Sequence, residues 1–263
     1  MMFRLPLSRL ALVPVLAGGL FAATAPAPAA DAALSRPEIE KIVHDYIVEH
    51  PEVVEEAMAA LDKKHNEQIA EQQKTAIADK AAMIFDSPNQ VVLGNPKGDV
   101  TLVEFFDYNC GFCKQALPDM LGLLNEDKNL RFVLKEFPVL SAGSEEAARV
   151  AIAVNRIAPD KYMEFHKRLL GGRGPANKQK ALDVVAEIGL DKAKIELASN
   201  DIPTVLPALQ ETRVIAEGLG LNGTPSYVVG RSVIPGAIGI DRLKQKIAEV
   251  RNTCTADGGV KPC

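Results

Sequence analysis

Tryptophan is absent from this sequence of 263 residues, and aromatic residues make up only 5% of it. A chain this poor in aromatic rings offers no broad surface on which nucleic-acid bases could stack. An excess of positive charge is also missing, since the formal net charge is -4. Nucleic acid is therefore not an expected partner. The content of 47% hydrophobic and 24% charged residues is typical of a globular protein with one sizeable domain and an accessory one.

Long apolar runs are missing after the N-terminus. Arg4 and Arg9 accompany an apolar stretch over residues 10–23, and Ala27-Pro28-Ala29 has the A-x-A form of a cleavage site. These features predict a secretory signal peptide over residues 1–29. The apolar stretch is shorter than the roughly 20 residues that a membrane span needs. The signal is of a bacterial export type, so the predicted compartment is the periplasm, which is oxidising.

Cysteine is scarce, with four residues, and two of them form a C-x-x-C pair, Cys110 and Cys113. The run over residues 100–109, rich in Val and Phe, predicts a buried strand, and the apolar period becomes helical after Cys113. Cys110 is therefore expected at the N-terminus of a helix, where unpaired N–H groups and the helix dipole stabilise an anion. The pattern predicts a Cys110 thiolate that acts as the nucleophile of thiol–disulfide exchange.

A structural disulfide and a metal site are two other interpretations of this pair, and the sequence favours neither. A structural disulfide would close a loop too short to restrict the unfolded chain appreciably. A zinc or Cu(I) site would need a second pair of ligands, and the spacing of Cys254 and Cys263 at the far end does not match one. We predict no metal and no cofactor, and a structural disulfide between Cys254 and Cys263 that contributes about 2–3 kcal/mol.

The region after the signal peptide predicts two helices. Ser35-Arg36-Pro37-Glu38 is a capping box, and it opens an apolar stripe at helical spacing that His50-Pro51 interrupts. The members of this stripe are Ile39, Ile42, Val43, Tyr46 and Ile47. A second helix is predicted to run without a break to Asp86. Between residues 62 and 75 its only large apolar residue is Ile69, which is typical of a solvent-exposed spacer.

These helices favour an association segment. We predict that residues 30–87 are an N-terminal helical oligomerisation segment and linker, and that the chain forms a homo-oligomer, a trimer or a dimer, through residues 34–61. The alternative is that two apolar stripes simply pack on the main domain: the one on the first helix, and a second one formed on the next helix by Val53, Val54, Ala57, Met58 and Leu61.

The rest of the chain predicts an α/β domain over residues 88–263. A short strand near residues 90–95 precedes the central strand, and the strand over residues 130–138 should pair with the central one in parallel. A helical insertion of four or five helices is expected over about residues 142–219. Thr224-Pro225 then precedes a predicted antiparallel hairpin, and a last helix should end at Arg251, before a turn-like tail.

The order of strand, C-x-x-C helix, strand, helical insertion, Thr-Pro, hairpin and helix resembles the thioredoxin fold of the bacterial DsbA-like thiol–disulfide oxidoreductases. The resemblance covers residues 91–251. It implies a cis Thr224–Pro225 bond that faces the cysteines, and a Thr224 backbone that binds an extended substrate segment. Gly111 and Phe112 join Thr224 and Pro225 as the expected substrate-binding residues.

Two features differ from the strongest oxidases of that family. The dipeptide Gly111-Phe112 contains no His to stabilise the reduced form, and Thr224 precedes the cis proline position. Together with the N-terminal helices, these features are similar to the suppressor-of-copper-sensitivity C (ScsC) proteins, periplasmic relatives with an oligomerisation stalk and, in some members, isomerase activity. We therefore expect an oligomeric disulfide isomerase or reductase that acts on cysteine-containing exported proteins and exchanges electrons with a membrane partner.

Alternatives remain open at this stage. Glu104 matches the buried acid of the family and is expected to accept the Cys113 proton, although it could instead pair with Lys135. The protein could also be a monomeric DsbA-like dithiol oxidase, or a periplasmic Cu(I) carrier that uses both thiolates. A carrier has no need for the Thr224-Pro225 loop, which favours the enzyme.

Overall fold

The structure is a computed structural model that describes residues 34–256, with side chains up to residue 253. The predicted signal peptide and Cys263 lie outside the described residues, and so does the side chain of Cys254. The chain divides into two compact units, the first ending at Met58 and the second beginning at Ala59. Over residues 34–256 no helix combines the length and the apolar character needed to cross a membrane.

The first unit contains α1 (Arg36–Glu49) and the beginning of α2 (Glu52–Asp79). The predicted capping box is confirmed, because the Glu38 carboxylate accepts hydrogen bonds from the Ser35 backbone N–H at 2.8 Å and hydroxyl at 2.6 Å. Helix α1 ends before His50-Pro51, as expected. None of its residues is buried, so the whole apolar stripe lies exposed.

The predicted uninterrupted second helix is wrong at its end. Helix α2 stops at Asp79, and a separate α3 covers Ala81–Phe85. Ile77, Ile84 and Phe85 are all buried against one face of the sheet, and these tertiary contacts decide where the chain bends. Residues 77–85 therefore contribute side chains to the core on this face of the sheet.

One five-stranded sheet runs through the second unit in the order β1-β3-β2-β4-β5. The predicted parallel pairing of β2 with β3 is confirmed, and so is the antiparallel β4–β5 hairpin. Strand β1 is antiparallel to β3, and β4 is antiparallel to β2. The strands are β1 (Val91–Gly94), β2 (Val100–Phe106), β3 (Leu130–Glu136), β4 (Ser226–Val229) and β5 (Ser232–Pro235).

Seven helices surround this sheet in the described part of the second unit, besides α2 and α3. They are α4 (Gly111–Glu126), α5 (Ala142–Ile157), α6 (Pro159–Leu170), α7 (Lys178–Glu187), α8 (Lys192–Asn200), α9 (Ile202–Leu219) and α10 (Ile240–Ala256). The predicted insertion is confirmed, with five helices from α5 to α9. The predicted turn-like tail is wrong in its first residues, because no Gly or Pro interrupts the helical sequence before Gly258.

Side chains of β2 alternate between two cores. Leu102 and Phe106 belong to a core shared with α4, α10 and the insertion, whereas Val103 and Phe105 belong to a core shared with α3 and α9. Every residue of β2 is buried. Glu104 has the parity of Leu102 and Phe106, so it points into the core that contains Cys113.

Candidate active site

The two cysteines lie at the turn from β2 into α4, as predicted. Cys110 is the N-cap residue of α4, with extended backbone angles of φ -76° and ψ 118°. Its sulfur accepts a hydrogen bond from the Cys113 backbone N–H at 3.4 Å. Cys110 is 6% exposed and Cys113 is fully buried, and neither forms a disulfide. Cys110 is therefore the more exposed of the two cysteines.

The Thr224-Pro225 turn faces Cys110. The peptide bond between these residues is cis, which confirms the expectation from the resemblance. The Thr224 carbonyl oxygen accepts a hydrogen bond from the Cys110 thiol at 3.0 Å. Among the described residues, the buried Thr224 hydroxyl oxygen has no hydrogen-bond partner. The loop thus presents a backbone acceptor to the sulfur and a polar group that the protein leaves unpaired.

Exposed apolar side chains lie on the first turn of α4 and on the loop after β3. Phe112 is 63% exposed, and Val139 and Leu140 are half exposed. The Asp107 carboxylate accepts hydrogen bonds from the backbone N–H groups of Val139 and Leu140 at 2.9 and 3.0 Å, which holds that loop beside the β2–α4 turn. Apart from its chain neighbours and the backbone of its own helix, no atom lies within 4 Å of the position that a Cβ atom would occupy at Gly111. We call Phe112, Val139 and Leu140 the apolar rim.

Glu104 lies completely buried in the core below the cysteines. Burial raises its pKa to about 8, although a hydrogen bond from Tyr227 opposes the shift. Burial also raises the pKa of the Cys113 thiol well above its ordinary value, and the nearby Glu104 charge adds to that effect. The structure therefore brings together a buried acid that titrates near neutrality and the buried second thiol.

The alternative pairing of Glu104 with Lys135 is wrong. In the strand register Glu104 lies opposite Leu134, and Lys135 lies opposite Phe105, so the two side chains point to opposite faces of the sheet. Lys135 instead donates to Glu211 at 2.7 Å and to the Met83 carbonyl oxygen at 2.6 Å. This buried ion pair joins β3 to α9 and α3.

Sequence reasoning missed several polar groups around the site. Tyr227, directly opposite Glu104 on β4, was not identified as its partner. The three residues before Cys110, which are Asp107, Tyr108 and Asn109, were treated as the end of a strand. Their polarity immediately after the apolar run of β2 was the available signal.

Comparison with known proteins supports this geometry. Residues 101–248 match the model of the DSBA-like thioredoxin domain, which is more than half of the chain. The chain belongs to the DsbA-like thioredoxin family. It is accordingly a thiol–disulfide oxidoreductase with a thioredoxin fold. Residues 36–68 match a second family model, the N-terminal domain of the copper resistance protein ScsC, so the N-terminal helices of this DsbA-like protein are similar to those of ScsC proteins.

Individual relatives agree with the family. The chain is 40% identical to a thioredoxin-like oxidoreductase from Silicibacter pomeroyi DSS-3, with a TM-score of 0.62 over 65% of this chain and 97% of the other. It is 25% identical to Proteus mirabilis ScsC in a transitional conformation, with a TM-score of 0.63 over 82% of this chain and 97% of the other. It is 26% identical to disulfide bond formation protein D of Bacillus subtilis over 60% of this chain and 75% of that relative. Some other matches are longer proteins, and the chain spans 25% of a sodium/proton antiporter of Salinispora arenicola.

Proposed function

We propose that this protein is a periplasmic, oligomeric disulfide isomerase or reductase that acts on exported proteins through Cys110 and Cys113. The observation that carries the proposal is the combination of an accessible nucleophile in the second unit with an exposed apolar stripe on the first. The single cysteine pair supplies exchange chemistry, and association supplies several such pairs around one substrate.

The Cys110 thiolate attacks one sulfur of a substrate disulfide, forms a mixed disulfide and releases the other substrate sulfur as a thiolate. If Cys113 attacks the mixed disulfide, the substrate leaves reduced and Cys110–Cys113 becomes oxidised. If a second substrate thiol attacks, the substrate disulfide is rearranged and Cys110 leaves reduced. The greater exposure of Cys110 supports its assignment as the attacking residue.

Glu104 acts in the first of these two routes. Cys113 must lose a proton before it attacks, and burial disfavours its thiolate. The Glu104 carboxyl group has a pKa of about 8. Because pH 7 lies about one unit below this pKa, the group is ionised in about one molecule in ten at that pH. Glu104 can then take the Cys113 proton inside the core and return it later.

Substrate binding involves Thr224, Pro225, Gly111 and Phe112. The Thr224 carbonyl faces the sulfur of Cys110, where an extended segment next to a substrate cysteine could replace that contact by strand-type hydrogen bonds. The open space beside Gly111 admits the substrate backbone. The apolar rim offers contacts for the apolar side chains that a misfolded protein exposes.

Association is assigned to residues 34–61. Several large side chains of α1 remain about half exposed, among them Ile42, Val43 and Tyr46. Leaving such a side chain in water instead of burying it costs about 1.5–3 kcal/mol, and contact between copies of this segment removes that cost. An oligomer would hold several Cys110 residues near one substrate at high effective concentration, which favours rearrangement over simple reduction.

The test uses the full mature chain with Ile42→Glu and Val43→Glu, which place charges on the apolar stripe. Native mass should fall to that of a monomer. Refolding of a scrambled disulfide protein should be lost, while reduction of a small disulfide continues, because the cysteine pair is untouched.

Lys41→Glu is the matched control, since Lys41 is exposed on the opposite side of α1 and pairs only with Asp45 among the described residues. It should leave both mass and isomerisation unchanged. An unmodified protein that is monomeric at micromolar concentration would defeat the association and favour a monomeric dithiol oxidase.

A further inference from the structure

Each of the three residues before Cys110 is tied by its side chain to a different segment after β3. Asp107 accepts the two backbone N–H groups of residues 139 and 140. Asn109 donates to the Ala176 carbonyl oxygen at 2.9 Å and accepts from the Ala176 N–H at 2.6 Å. Tyr108 reaches α6. The loop after β3 therefore holds the turn that carries the nucleophile at one point, and the insertion holds it at two.

The contact through Tyr108 is a chain of four buried side chains. The Tyr108 hydroxyl lies 3.2 Å from His166 Nδ1 and 3.4 Å from the Tyr162 hydroxyl. Tyr162 donates to Glu136 Oε1 at 3.0 Å. These hydrogen-bonded side chains thus connect the active-site turn to α6 and to the end of β3. None of them takes part in the exchange steps described above.

Burial shifts the pKa at both ends of this chain of side chains in the direction that favours the uncharged form. It lowers the pKa of His166 to about 3 and raises the pKa of Glu136 well above its ordinary value. A neutral imidazole has one N–H. If that proton is on Nδ1, His166 donates to Tyr108, Tyr108 to Tyr162 and Tyr162 to Glu136, so that every contact has one donor and one acceptor. In this arrangement the Tyr108 hydroxyl accepts one hydrogen bond and donates another.

We propose that Tyr108 is a positioning residue for thiol–disulfide exchange, and that its hydroxyl, held by His166, Tyr162 and Glu136, keeps Cys110 at the N-terminus of α4. The sulfur accepts the Cys113 N–H at 3.4 Å, and the side chains of Asp107, Tyr108 and Asn109 fix the turn from which it does so. The proposal rests on Cys110 as the proposed nucleophile and applies equally to reduction, oxidation and isomerisation.

Tyr108→Phe tests this inference with little change in packing, because the ring keeps its edge contact with Phe106 at 5.1 Å between centroids. The rate of Cys110 alkylation is measured against pH in full-length Cys113→Ser protein. The reduction potential is measured in protein that retains both cysteines. We expect alkylation at pH 7 to slow by about tenfold, a loss in the range that misplacement of a reacting group produces, and the potential to shift.

Tyr162→Phe is the second variant, with the same direction and a smaller effect, since Tyr108 retains His166. Glu217→Gln, on the exposed surface of α9, is the control and should change nothing. If both buried variants lower the melting temperature but leave the pH profile and the potential unchanged, the hydroxyl chain is only structural and the proposal is wrong. If Cys110 is not alkylated even with Tyr108 intact, the nucleophile assignment itself has failed.

Discussion

Helix α1 and strand β2 use apolar and charged residues in opposite ways. Helix α1 buries none of its residues and exposes a complete apolar stripe, whereas β2 buries all of its residues, including the acid Glu104. A stable unit does not normally expose such a stripe or bury such an acid without compensation. The difference supports the proposal that the first unit associates with another surface, while the second unit contains the buried acid and the cysteine pair.

The largest effect on exchange activity should come from substitution of Cys110 or Cys113. Loss of activity in these variants would show that the exchange chemistry belongs to the second unit. Cys110→Ser should abolish all thiol–disulfide exchange, because it removes the accessible sulfur. Cys113→Ser should accumulate mixed disulfides with substrate, because the resolving thiol is gone. Both are measured by turnover and by mass spectrometry of trapped complexes.

The combined Cys254→Ser and Cys263→Ser variant is the control for this experiment, and its exchange activity should be intact. Mixed disulfides formed through Cys113 in the Cys110→Ser protein would reverse the assignment of the two sulfurs.

Substitution of one isoleucine in each unit compares what their side chains contribute to the free energy of unfolding. Ile77→Ala should lower the free energy of unfolding of the catalytic unit by about 2–5 kcal/mol, because Ile77 is fully buried and its loss leaves a cavity. Ile42→Ala should change that free energy by less than about 0.5 kcal/mol. Denaturant titration followed by a probe in the sheet measures both. Equal losses would mean that the α1 stripe packs on the catalytic core.

The buried acid predicts a pH dependence of stability. The pKa of Glu104 is about 8 in the folded protein, against an ordinary value of 4.5. Between these values the unfolded chain has lost the proton that the folded chain keeps. The free energy of unfolding should therefore fall as pH rises through this window, by at most about 1.4 kcal/mol per pH unit, and level off above about pH 8.

Glu104→Gln should remove this contribution to the slope, as measured by denaturant titration between pH 4.5 and 9. Glu136 contributes a slope of the same sign, since burial also raises its pKa, so the informative quantity is the difference between the variant and the unmodified protein. Glu217→Gln, an exposed substitution on α9, is the matched control. A variant with an unchanged slope would show that Glu104 is ionised in the folded core.

The smallest expected effect concerns Thr224. Its buried hydroxyl oxygen lacks a partner among the residues that the structure describes, and a buried unpaired polar group costs roughly 1–3 kcal/mol. Thr224→Val, of similar shape, should therefore raise the free energy of unfolding by about 1 kcal/mol. It should also alter the reduction potential and the lifetime of mixed disulfides. Thr224→Ser retains the hydroxyl and serves as the control. Lower stability in Thr224→Val would show that the hydroxyl is bonded.

Local signals in the sequence were sufficient for much of the fold. The C-x-x-C pair after an apolar strand predicted the position of Cys110, and Thr224-Pro225 before a hairpin completed the resemblance to the DsbA-like fold. The capping box at Ser35 predicted the start of α1. Such features depend on neighbours within a few residues, so they can be predicted from the sequence alone.

The partners of buried polar groups were decided only by the tertiary structure. Lys135 pairs with Glu211 rather than Glu104, and Tyr108 contacts His166, so these contacts join residues far apart in the chain. The end of α2 also depends on tertiary contacts. Helical periodicity continued through Lys80 although packing ends the helix there. Strand register determines the face on which each side chain lies, and a shift of one residue reverses that face. For this protein the sequence by itself predicted most of the elements and the position of the cysteine pair, while long-range packing decided which polar groups surround that pair.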